Sequence, residues 1–288
     1  MDEFAKALND PDETERIYAA QDIAETKNPN MSIHLIDRLQ IEGSQAVRDA
    51  IVFSLNNLSC SGNYEKIFDL FSSSDPYLRN STIDIFGSEG NEAIFFLESH
   101  MDHADGEVRK LILDALFATG VPGALPAIRK GLRDPSVNVK ITAVEYLGRL
   151  EDRESVEIML EIFSNETEAM LRTAILEMLC QIECRKTDAE DFVSILAPYG
   201  DFSLMDPLYL PHMIRLSSKT GDAESLCSIV NTIADINIYA EDIVYAIEQA
   251  DRIYEEFIKE DCVLEIMGKI MQATENDELR LLCEELMD

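Results

Sequence analysis

His100-Met101-Asp102-His103-Ala104-Asp105 sets two imidazoles three residues apart among carboxylates, the one stretch whose residue types suggest a metal site. Imidazole nitrogens bind zinc or nickel, but a closed zinc site takes four ligands. This pair falls at a predicted turn, and neither a cysteine nor a distant histidine completes the set. Asp102 to Gly106 also lacks the oxygen spacing and closing Glu of a calcium loop. Cys180 and Cys184 stand one helical turn apart, as core filler or as a thiol pair, and buried filler is the reading favoured for free cysteine. Four histidines and no nucleophile motif give no catalytic centre, and no glycine-rich phosphate loop follows a strand. The sequence therefore leads to no catalytic residue, no metal and no cofactor.

Charge points elsewhere. The 288 residues hold 24 Lys+Arg against 56 Asp+Glu, a formal charge of −32. Such a surface repels phosphate, which argues against nucleic acid and anionic membranes as partners. Disorder does not follow, because 46 % of residues are hydrophobic and can fill a core. The start, Met1-Asp2-Glu3-Phe4-Ala5-Lys6, lacks the basic and apolar regions of a signal peptide, and no run reaches the length of a membrane span. A cytoplasmic protein with reduced thiols at Cys60, Cys180, Cys184, Cys227, Cys262 and Cys283 is expected.

The elements that must position these charges repeat. A basic residue recurs at Arg16, Arg48, Arg79, Arg109, Lys140 and Arg172, at separations of 32, 31, 30, 31 and 32 residues. That period is the mark of a helical solenoid. Apolar residues follow at +3, +4 and +7, for example Ile51, Val52 and Leu55, or Ile112, Leu113 and Leu116, one face of a helix. A turn and a second apolar run complete each hairpin, as in Ile67-Phe68-Asp69-Leu70-Phe71. Asp10-Pro11, Asp75-Pro76 and Asp134-Pro135 precede anchored helices, where Asp accepts from free N–H groups and Pro suits the first helical position.

Arg16 with Ala19-Ala20, Val108-Arg109 with Ala115-Leu116, and Val139-Lys140 with Ala143, Leu147 and Gly148 together resemble the HEAT-repeat family, in particular the short HEAT-like repeats first associated with phycobilisome lyases. The resemblance implies an all-α, right-handed α-α superhelix of about six hairpin repeats, an armadillo-like solenoid. It covers roughly residues 8–197, within an expected repeat domain of residues 1–197; residues 198–288, entered through Pro198-Tyr199-Gly200-Asp201, are expected to form degenerate helical repeats or a cap of about five helices.

At about 100° per residue the basic anchor lies only about 35° from the buried direction. An unpaired cation there is costly, so a structural ladder of Arg16, Arg48, Arg79, Arg109, Lys140 and Arg172 with turn aspartates is expected, with ligand binding as the alternative. Position +5 lies near 140°, opposite the core. That row reads Gln21, Phe53, Asp84, Asp114, Glu145 and Glu177, with Tyr18, Asp49, Asn80, Lys110 and Thr142 beside it. The resemblance implies that the row faces a concave groove. Asp84, Asp114, Glu145 and Glu177, with Phe53 and Tyr18, are the expected contacts for a basic protein segment, against the alternative of an ordinary solvated face. Residues 109–153 run the other way, eight cations against five acids.

A non-enzymatic scaffold or adaptor binding a partner protein is the leading functional expectation. The repeat subtype implies an alternative, a bilin lyase-like or tetrapyrrole-handling chaperone, for which Phe53 and Tyr146 are available. Base excision on DNA, also performed by a HEAT-like solenoid, is opposed by the acidic row.

Overall fold

A computed structural model describes residues 2–182 and 206–287. Cys184 and the expected boundary at 197/198 lie outside the described residues. Those residues are all-α, joined by short 3-10 turns, with no strand among them. None of their helices is long and apolar enough to cross a membrane. The chain divides into two compact units, Met1–Tyr146 and Leu147–Asp288.

The first unit begins with α1 (Asp2–Ala7) and then alternates long and short helices. The long ones are α2 (Glu13–Glu25), α4 (Gln45–Asn56), α6 (Pro76–Glu89), α8 (Gly106–Ala118) and α10 (Val137–Arg149), each carrying a basic anchor in its first turns. Between them stand α3 (Ser32–Leu39), α5 (Tyr64–Phe68), α7 (Asn91–Ser99) and α9 (Leu125–Lys130). Helices α2, α4, α6 and α8 pack in series, each on the next. Their N-termini are capped from the side chain: Asp12 accepts from the Thr14 N–H, Ser44 from Val47, Asp75 from Tyr77 and Asp105 from Glu107. For α2 the cap is thus Asp12, two residues beyond the Asp10-Pro11 signal; the Asp10 carboxylate instead accepts from the Asp12 N–H at 2.8 Å.

The apolar positions of the period fill the core. Ile51, Leu55, Phe86, Ile112, Leu113, Leu116, Ala143 and Val144 are buried, while Ile83 is half-buried. Thr82 is tolerated among them because its hydroxyl donates to the Leu78 carbonyl at 2.8 Å. Under the short helices Tyr64, Phe68, Phe71, Phe86 and Phe96 pack as an aromatic cluster with ring centroids 5.3–5.9 Å apart. Helices α5 and α9 are each flanked by 3-10 turns. A Cβ at Gly131 would stand 2.8 Å from that of Ala143, so glycine is what this approach admits.

The second unit contains α11 (Val156–Asn165), α12 (Ala169–Gln181), α13 (Leu210–Ser217), α14 (Ala223–Val230), α15 (Ala240–Ile253), α16 (Asp261–Ala273) and α17 (Asp277–Met287). Here α12 packs on α13, α13 on α15 and α14 on α16.

Candidate functional site

The anchor cations sit where helical phase places them, turned toward the joints between hairpins. Arg16 donates from Nε and Nη2 to the buried Glu42 carboxylate, at 2.9 and 3.2 Å, and Arg38 approaches the same carboxylate at 2.6 Å. Arg48 reaches Asp75 at 2.9 Å. Arg109 grips both oxygens of Asp134, while its Nη1 donates to the His103 carbonyl at 2.6 Å. Arg79 reaches a carbonyl, Ser73 O at 2.6 Å, and the Arg172 guanidinium lies over the rings of Phe163 and Tyr209. Lys140 contributes to the field that lowers the Asp134 pKa. Glu42, rather than a turn aspartate, serves Arg16. Burial alone would raise the Glu42 pKa, but the Ser44 N–H and the two guanidiniums outweigh it and hold the carboxyl at about 2.

Arg215 on α13 pairs with Asp242 on α15, Nε and Nη2 standing 2.8 and 2.7 Å from one oxygen. The sequence separation is 27, the same as from Arg48 to Asp75. This pair repeats the ladder's register in the second unit, and its distance of 43 residues from Arg172 hid it from a search by period.

The +5 row lies on the solvent side of the long helices. Phe53 is 66 % exposed and Tyr18 56 %. Asp84 and Glu145 are exposed, and Asp114 is half-buried. Neighbouring atoms desolvate Asp84 enough to raise its pKa above the ordinary carboxylate value. Asp114 accepts the Tyr146 hydroxyl proton at 2.5 Å, and the Tyr146 ring stacks on Phe117 with centroids 4.2 Å apart and planes 9° from parallel. Asp49 is held by the Tyr77 hydroxyl at 2.8 Å and the Gln45 amide at 2.7 Å, and Arg48 lies against the Tyr77 ring. Of the flanking residues, Asn80 is exposed and Lys110 half-buried. Thr142 is not exposed as its helical phase implied: it is buried, with its hydroxyl turned back to the Asn138 carbonyl at 3.1 Å. Glu177 is exposed on α12 of the second unit.

The first unit therefore carries carboxylates interleaved with rings on consecutive helices. Asp49, Tyr77, Phe117 and Tyr146 belong to this surface although they lie off the +5 row. Their signal was the recurrence of a tyrosine near an acid one repeat away. Carboxylates and aromatic faces both attract cations.

The histidine cluster is absorbed by packing. His100 lies between Phe68 and Phe96, each centroid 4.4 Å away, and His103 accepts the Asp105 N–H at 3.1 Å. Among the described residues no three His, Cys, Asp or Glu side chains converge on a metal-sized site. Burial raises the Cys180 thiol to about 12, far from a thiolate at neutral pH.

Residues 94–180 match the family model for HEAT repeats. No curated protein sequence matches the chain. Among solved structures, an engineered protein is 15 % identical, with 98 % of this chain and 86 % of that one covered and a TM-score of 0.49. A chain from work on a phosphorylation switch controlling the interaction between cadherin and beta-catenin is 10 % identical, covering 98 % of this chain and 66 % of that one, with a TM-score of 0.47. The CpcE–CpcF complex of phycocyanin lyase from Nostoc sp. is 17 % identical, covering 87 % and 93 %, with a TM-score of 0.33.

Proposed function

We propose that this helical-repeat protein is a non-enzymatic scaffold whose first unit binds a basic segment of a partner protein. The observation that carries this reading is the succession Phe53, Asp84, Asp114 and Glu145 on α4, α6, α8 and α10, exposed in each case but the half-buried Asp114. Helices packed 8–10 Å apart present such residues at intervals suited to an extended chain. Carboxylates steer and hold lysine and arginine side chains, and Phe53 and Tyr18 offer ring faces to the same cations. Tyr146 and Tyr77 fix two of the acids in place before any partner arrives, which reduces the ordering cost of binding.

The test is a titration of a fluorescent Lys/Arg-rich peptide against the full chain, read by anisotropy. Reversing Asp84, Asp114 and Glu145 together to Lys is expected to abolish saturable binding while helical content is retained. Equal affinity in the reversed protein overturns the reading.

A further inference from the structure

The second unit contains a cleft of about 560 Å³ between the end of α12, α13 and α15. Its lining is the electrostatic inverse of the chain. Acids outnumber bases 56 to 24 in the sequence, yet among the described residues the cleft is lined by three cations, Arg215, Lys219 and Arg252, and by no carboxylate. The adjoining cleft on the far side of Arg215, about 660 Å³, is lined by Glu241 and Asp242, so the absence of acid belongs to this cleft and not to its surroundings.

The cationic walls are built firmly. Lys219 is 8 % exposed, and its ammonium donates to the Ile182 carbonyl at the end of α12. Its own carbonyl accepts the Tyr254 hydroxyl at 2.7 Å, and the Tyr254 ring closes over Gly221, whose φ of +69° turns the chain just beyond. Arg215 is fixed by Asp242 through Nε and Nη2 and lies against the Tyr245 ring, which leaves Nη1 to donate. Arg252 gives one amino group to Glu248, at 2.5 Å, and keeps its other N–H groups. Asp242 and Glu248 hold these guanidiniums without lining the cleft. Tyr245 and Gln249, each with a neutral side-chain donor, line the same cleft.

We propose that this cleft is a binding site for a phosphate-bearing small molecule. A phosphoryl group has three terminal oxygens that accept from several donors at once, and guanidinium forks match them. The volume falls within the range of small-ligand pockets. The half-buried Ile253 supplies apolar surface for the rest of the molecule. A chain of charge −32 repels polyanions in bulk, so association of one with this protein must come from a local cluster of donors. The site does not depend on the partner surface of the first unit.

Pyrophosphate titrated calorimetrically into the full chain at low ionic strength tests the assignment. Saturable one-to-one binding is expected, with Arg252→Glu weakening it at least about tenfold. Arg252 is solvent-exposed enough for this change to spare the fold, which an unchanged thermal midpoint verifies. Lys269→Glu, an equal change of charge on α16 outside the cleft, is expected to leave the affinity within about twofold. No saturable heat at millimolar pyrophosphate overturns the proposal. Equal losses in the two variants would show bulk electrostatics alone, and citrate binding as tightly as pyrophosphate would show a cleft that reads charge rather than phosphate; either result also overturns it.

Discussion

Arg109 and Asp134 form a two-point fork across the joint between α8 and the following repeat, Nε to Oδ2 at 2.7 Å and Nη2 to Oδ1 at 2.8 Å. Both side chains are about nine-tenths buried. The Asp134 pKa is lowered and that of Arg109 raised, because the hydrogen-bonded contact favours both charges against the cost of burial. Removing one partner leaves the other charge buried alone. Arg109→Met is expected to cost about 3–5 kcal/mol in urea unfolding, and the double variant Arg109→Met/Asp134→Leu to recover most of it. A cost below about 1 kcal/mol for the single variant would place the fork among weak surface pairs.

Glu42 gives the fold an acid-sensitive joint. Its folded pKa of about 2 lies below the ordinary 4.5, so its contribution is complete above pH 4.5 and lost as pH falls toward 2. In that window the unfolded chain binds a proton that the folded chain refuses, and protonation favours unfolding. The full shift corresponds to about 3 kcal/mol. Urea midpoints measured down this range should fall more steeply for the native protein than for Glu42→Gln; parallel curves would remove Glu42 from the acid response.

Two glycines should respond to alanine with opposite sign. At Gly131 the new methyl meets Ala143 at 2.8 Å and Leu113 at 3.1 Å, and a loss of about 1–3 kcal/mol is expected. Gly268 lies inside α16 with nothing within 4 Å of a Cβ, so Gly268→Ala is expected to gain about 0.5–1 kcal/mol. Thermal unfolding of the two variants, compared with the parent, decides both signs.

Phe53 separates partner binding from folding. At 66 % exposure its ring contributes little to the core, so Phe53→Ala should change stability by no more than about 0.5 kcal/mol. The same change should weaken the basic peptide several-fold, by the roughly 0.5–1 kcal/mol of an exposed ring–cation contact. An anisotropy titration that matches the parent protein would exclude the ring from the partner surface.

The repeat was legible because its determinants are close in sequence. Each of α2, α4, α6 and α8 carries its own cation, core stripe and N-terminal cap, and a period of 30–32 residues brings them into phase. The +5 row could be located because helical rotation largely decides what faces away from the core: Phe53, Asp84 and Glu145 are exposed and Asp114 is half-buried. Thr142 escaped that rule because phase says nothing of what a neighbouring helix covers. Glu42 was hidden for another reason: it lies in the loop after α3, outside the Asp-Pro pattern that marks the turns. The cleft was least legible, since Lys219 and Ile182 are 37 residues apart and Arg252 comes from a further helix, with no repeated motif to connect them.

The ladder also sets a timetable for folding. Its links join residues 26, 27, 25 and 27 positions apart, from Arg16 to Glu42, Arg48 to Asp75, Arg109 to Asp134 and Arg215 to Asp242. Contacts at such short range close quickly, and each spans less than one repeat of chain. A ribosome making the protein from its N-terminus thus releases each joint ready to lock, so that the Arg16–Glu42 link can form long before Arg215 has been synthesised.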